Sequence, residues 1–141
     1  MNPLPCVLLV DDDTTTNFLN QMLLTRLRVT DRVLVAQDGE QALRKLKEHC
    51  TAPATDCPVL ILLDVNMPGM NGFEFLEAYK QLPVGREQGI VVVILTTSMH
   101  PRDMQRVEQV GAVAGFVNKP LTKEKIADIL QIHFQQELPT T

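Results

Sequence analysis

Tryptophan is absent from this chain, tyrosine occurs once and phenylalanine five times, so aromatic residues make up only 4% of it. There is no stacking platform for unpaired bases and no Lys/Arg-rich run to follow a phosphate backbone. Positive charge is scarce as well. Thirteen Lys and Arg against seventeen Asp and Glu give a net charge of −4, which disfavours direct contact with nucleic acid or an anionic membrane surface. The apolar runs, Cys6 to Val10, Val59 to Leu63 and Ile90 to Leu95, are far shorter than the ~18 residues of a membrane-spanning helix. The first residues, Met-Asn-Pro-Leu-Pro, do not read as a signal peptide, so a cytoplasmic location is expected. Cysteine is sparse. Cys6, Cys50 and Cys57 are odd in number and lack Cys-x-x-Cys spacing, which predicts reduced thiols, with a redox contact between the nearby Cys50 and Cys57 left open. His49, His100 and His133 stand at no zinc-ligand spacing.

With 141 residues, one domain is expected over the whole of 1–141, with its core from about residue 6 to about residue 134. The three apolar runs are nearly continuous rather than alternating, as in parallel strands covered on both faces. Val33 to Ala36, closed by Asp38-Gly39, and Gly115 to Val117, closed by Lys119-Pro120, add two more strands. Between and after the strands lie helical spacings. Phe18, Met22 and Leu23 with Leu27 predict one buried face, as do Ala42, Leu43 and Leu46 with Cys50, and Phe75 and Leu76 with Tyr79. A polar helix on Met104 and Val107 starts at Pro101, and a last one on Ile126, Ile129, Leu130 and Phe134 is flanked at its start by Thr122 and Lys125. Five strand-helix units predict an α/β fold, a doubly wound five-stranded parallel sheet with five helices.

Ligand sites in such sheets lie beyond the carboxyl ends of the strands. Asp11, Asp12 and Asp13 follow the first run, Asp64 the third, Thr96, Thr97 and Ser98 the fourth, and Asn118, Lys119 and Pro120 the fifth. Carboxylates gathered at neutral pH repel one another unless a proton or cation intervenes. Oxygen ligands without Cys or His favour Mg²⁺, or Mn²⁺, and Mg²⁺ commonly shares a phosphate oxygen. Lys119 and the Thr96 hydroxyl are suited to hold the other phosphate oxygens. Asp64 stands alone at the end of the most central run, which makes it the candidate nucleophile, with Asp11 and Asp12 sharing the metal. The plainer reading of Asp11 to Asp13 is a turn that caps the next helix.

Val10-Asp11-Asp12, Leu63-Asp64-Val65-Asn66-Met67-Pro68-Gly69 with Asn71-Gly72, Thr96 and Lys119-Pro120 together resemble the receiver domain of two-component response regulators, of the stand-alone, chemotaxis-regulator type. The likeness runs from about Cys6 to about Phe134. It implies a flavodoxin-like strand order 2-1-3-4-5, with Asp64 as phosphoacceptor. It implies Mg²⁺ held by Asp11, Asp12, Asp64 and the Asn66 backbone carbonyl, with Lys119 against the phosphoryl group. Thr96 and Phe116 match the switch pair, and Lys119-Pro120 matches a peptide bond that is usually cis. The implied donor is a phosphohistidine on a sensor histidine kinase or histidine-phosphotransfer domain, and the implied output is an altered contact with a downstream protein. No catalysis is implied beyond the domain's own phosphorylation and slow dephosphorylation.

Thr97 departs from the Ala, Gly or Ser that is commoner there, and its branched side chain predicts slower attack by water or by a partner on the phosphoryl group. Asn66 and Ser98 occupy positions where the family tunes phosphoryl lifetime. Three other classes fit less well. A small-molecule phosphatase working through an aspartyl phosphate commonly has an acid where Asn66 stands. A flavin mononucleotide carrier would use Thr14, Thr15 and Thr16, but the three adjacent aspartates repel its phosphate. A receiver used only for docking would not need all the site positions. Met67, Met70, Met99 and Met104 read as gap fillers, and His100 as a loop residue.

Overall fold

The apolar runs are strands, and every strand pairing in the sheet is parallel. A computed structural model describes residues 3–50, 57–65, 72–82, 90–97 and 101–138. In it, β1 (Val7–Val10), β2 (Val33–Ala36), β3 (Leu60–Leu63), β4 (Val91–Thr96) and β5 (Gly115–Asn118) alternate with α1 (Thr14–Arg26), α2 (Gly39–His49), α3 (Gly72–Gln81), α4 (Pro101–Val110) and α5 (Lys123–Phe134). The strand order is β2-β1-β3-β4-β5. Val10 lies beside Ala36 on one side and Leu63 on the other, and Thr96 beside Asn118. The strand ends therefore form one rim.

Alternation along the strands divides the core between the two faces of the sheet. Leu8 and Val10 of β1 join Ala42, Leu46, Phe75, Leu76 and Val107, which covers one face with α2, α3 and α4. Val7 and Leu9 join Leu24, Ile126, Ile129 and Leu130, which covers the other with α1 and α5. β1 and β3 are buried along their whole length, as their unbroken apolar sequence requires. Asp38 caps α2 by accepting from Gln41 N–H, and Thr122 caps α5 by accepting from Lys125 N–H. None of the described helices is long and apolar enough to cross a membrane.

Two expectations are corrected. The apolar spacing of α1 puts Phe18 and Met22 inward, yet Phe18 is 60% exposed and Met22 42%, while Asn17, Asn20 and Leu24 are buried. Leu23 and Leu27 are only partly buried, at the flank of that face. The helix is anchored at its start by polar contacts, the Asp13 cap and the bond from Asn17 to the Asp11 carbonyl. That anchor turns residues 17, 20 and 24, spaced three and four apart, toward the sheet. Met104, expected as a gap filler, is 38% exposed.

The second correction concerns cysteine. Cys50, at the end of α2, and Cys57, before β3, form a disulfide with their Cα atoms 4.5 Å apart. The fold brings them within bonding reach. Cys6 is buried and stays outside the disulfide, so the thiol argument for a reducing compartment loses two of its three cysteines.

Candidate functional site

Three consecutive aspartates leave β1 and take three different environments. Asp11 is buried, with its N–H donating to Ala36 O at 3.0 Å. Its carboxylate accepts from Asp13 N–H at 2.9 Å and from Lys119 Nζ at 2.6 Å, and its carbonyl accepts from Asn17 Nδ2 at 2.8 Å. Asp12 is exposed and its side chain has no hydrogen bond among the described residues. Asp13 is the helix cap, accepting from Thr15 N–H at 3.0 Å and the Thr16 hydroxyl at 2.7 Å. Those two bonds, Thr16 first, hold its carboxyl below the usual aspartate range. The capping reading of the triplet therefore holds for Asp13, while Asp11 and Asp12 turn toward Asp64.

Asp64 follows β3 and is buried, its N–H donating to Val10 O at 2.9 Å. One oxygen each from Asp11, Asp12 and Asp64 lies within 4.8 Å of the others. Two of these acids are buried, and the donors are all oxygen, which fits a hard divalent cation such as Mg²⁺. Lys119 reaches in from the end of β5. Its Nζ is 2.6 Å from Asp11 Oδ2 and 3.7 Å from Asp64 Oδ2. Burial works against the charge of Lys119, but its bond to Asp11 and the fields of Asp11, Asp64 and Asp12 outweigh it and raise its pKa.

Thr96 ends β4 and is buried, and its carbonyl accepts from Lys119 N–H at 2.8 Å. The Lys119-Pro120 peptide is cis. Thr97 is exposed, and with Lys119 it faces Leu19 and Asn20 of α1 across a groove of about 380 Å³. Phe116, on the edge strand, is 38% exposed. Asn66, Ser98, His100, Met67, Met70 and Met99 lie outside the described residues.

Three residues shape this rim for reasons invisible in their spacing. Lys125 donates from Nζ to Asn118 O at 2.6 Å and Pro120 O at 2.9 Å, which clamps the carbonyls on either side of Lys119. Gly72 opens α3 so close to the turn after Asp64 that a Cβ on it would lie 2.6 Å from Val65 Cα and 3.0 Å from Asp64 O. Asn17 holds the Asp11 carbonyl. A polar residue amid the apolar spacing of α1 was the available signal for Asn17; Lys125 gave none beyond its place in a helix start.

A family model for the response regulator receiver domain matches residues 7–131. A probable chemotaxis protein CheY from Rhizobium etli is 32% identical over 128 residues, which span 91% of each chain. Among solved structures, a two-component response regulator from Cytophaga hutchinsonii superposes with a TM-score of 0.81 at 30% identity, covering 95% of this chain and 99% of its own. A phosphorylated cyanobacterial phytochrome response regulator, RcpA, superposes with a TM-score of 0.76 at 26% identity, covering 97% of this chain and 99% of its own.

Proposed function

We infer a phosphoryl switch from one premise: the chain belongs to the response regulator receiver domain family. Such domains carry an aspartyl phosphate and work with histidine kinases or phosphotransfer proteins in two-component signalling. Asp64 is the acceptor in this reading. Its carboxylate oxygen forms a bond to phosphorus as the bond from phosphorus to the donor imidazole nitrogen breaks, and the imidazole departs with its electron pair. Asp11, Asp12 and Asp64 would hold Mg²⁺, with the Asn66 carbonyl as the family resemblance implies, and the ion would supply positive charge to the phosphoryl oxygens. Lys119 supplies a second positive charge and Thr96 a hydroxyl donor. The observation that carries this reading is the Lys119 ammonium set between Asp11 and Asp64, at 2.6 and 3.7 Å.

The whole of 1–141 forms one receiver unit in this proposal. The donor docks on α1, where exposed Phe18, Leu19 and Met22 form an apolar strip, and Leu19 adjoins the groove beside Lys119. The output is a change in binding to a downstream protein on α4, β5 and α5, where movement of Thr96 is coupled to Phe116. A net charge of −4 supports a protein target over nucleic acid or membrane. A cytoplasmic location belongs to the same proposal, since histidine phosphorylated from ATP is the donor. Thr97, at the mouth of the groove, slows attack by water.

The test is the intact mass of the protein after incubation with a small phosphodonor and Mg²⁺. One added phosphoryl group, lost in Asp64→Asn and in a chelated control, is expected. The same adduct on Asp64→Asn would remove Asp64 from the role. If no adduct forms on a folded protein, a beryllium fluoride complex separates rapid turnover, in which it binds, from a docking-only domain, in which it does not.

A further inference from the structure

Resting on the cation site proposed above, we propose that Asn17 is a positioning residue for that site, acting through the backbone of Asp11 to deliver Asp12. Asn17 is 4% exposed, in α1, and its Nδ2 donates to Asp11 O at 2.8 Å while its Oδ1 is buried with no hydrogen-bond partner among the described residues. An asparagine inside a helix is a poor helix former, and a buried amide oxygen without a partner is destabilising. Leucine at this position would extend the apolar face made by Leu24 and remove the unpaired oxygen, but would leave the buried Asp11 carbonyl without this donor. What asparagine contributes here is the bond to Asp11. The amide orientation is fixed by that bond, because the reverse would set two oxygens against each other.

The Asp11 carbonyl belongs to the peptide that leads to Asp12. That unit is planar, so holding its oxygen also sets where Asp12 Cα lies. Ala36 and Lys119 hold the N–H and carboxylate of Asp11, and the Asp13 N–H bond to that carboxylate sets the peptide after Asp12, so Asn17 supplies the hold on the peptide before it. Asp12 is exposed and its side chain has no hydrogen bond of its own among the described residues. Its place beside Asp11 and Asp64 thus depends on the peptide that Asn17 grips.

The experiment is calorimetric titration of Mg²⁺ into the full chain, wild type against Asn17→Leu and Asn17→Ala, with thermal melts of each in chelator. The expected result is Mg²⁺ binding weakened fivefold or more in both variants, with the metal-free Tm of Asn17→Leu equal to or above that of the wild type. Asn17→Ala covers the case in which leucine does not fit. Binding weakened less than fivefold in the folded variants, or weakened only in a variant whose Tm also falls, would reduce Asn17 to a structural residue. If the wild type itself binds no Mg²⁺, the cation site fails and this proposal with it.

Discussion

Lys119 Nζ lies 2.6 Å from one oxygen of Asp11, so one ammonium occupies a carboxylate of the same cluster that fits Mg²⁺. The ion pair and a cation at Asp11 draw on the same negative charge. Lysine at this position therefore opposes cation binding, and in the proposed reaction it would supply positive charge to the transferred phosphoryl group.

Replacing it separates the two effects. Lys119→Met is expected to bind Mg²⁺ several-fold more tightly in a calorimetric titration, since Asp11 loses its ion pair and Asp64 a nearby positive charge. Its phosphorylation rate with a small donor should fall by about 10²-fold, the loss typical of one removed transition-state donor. Equal changes in both would contradict the division of labour.

Alkaline solution should weaken the fold through two groups. The Lys119 pKa is raised above its ordinary 10.5 by its carboxylate partners, despite burial, and the Tyr79 pKa above its ordinary 10.0 by burial alone. For each, the folded value exceeds the unfolded one, so its contribution is intact below the unfolded value and is lost as pH rises through the folded value. Urea midpoints should stay level up to about pH 9 and fall above pH 10. Tyr79→Phe and Lys119→Met should each flatten part of that fall.

Gly72→Ala tests the closeness of α3 to the phosphoacceptor. The added Cβ meets Val65 Cα at 2.6 Å, backbone against backbone, and the neighbours must move. A loss of about 1–3 kcal/mol is expected in urea unfolding, the usual cost of overpacking. Because the backbone that moves carries Asp64, the phosphorylation rate should fall too, even under conditions where the variant is fully folded.

Phe18→Ser probes the outer face of α1. With Phe18 60% exposed, stability should change by no more than about 0.5 kcal/mol. Affinity for a phosphohistidine-bearing protein should fall by about tenfold, with the rate from a small phosphodonor unchanged. A uniform loss from both donors would point away from docking.

The sheet was legible in the sequence because strands buried on both faces need unbroken apolar runs, and β1 and β3 have them. The rim was legible because parallel strands bring their last residues to one edge, which made Asp11, Asp64, Thr96 and Lys119 candidates before any distance was known. The orientation of α1 was not. Its apolar spacing is ambiguous, and polar contacts made by Asp13 and Asn17, with partners set by the fold, decide which side turns inward. The Cys50–Cys57 bond and the grip of Lys125 on the carbonyls around Lys119 were hidden for a similar reason, since each depends on how close the folded chain brings groups that spacing alone does not pair.

The lysine of the acidic cluster is supplied by the last strand to be made, with 108 positions separating it from Asp11. A nascent chain can complete β1 and β3 while the segment that carries Lys119 has yet to leave the ribosome. In the proposed reaction such an intermediate has its aspartates without the Lys119 ammonium, so the ability to take a phosphoryl group would arrive only with β5.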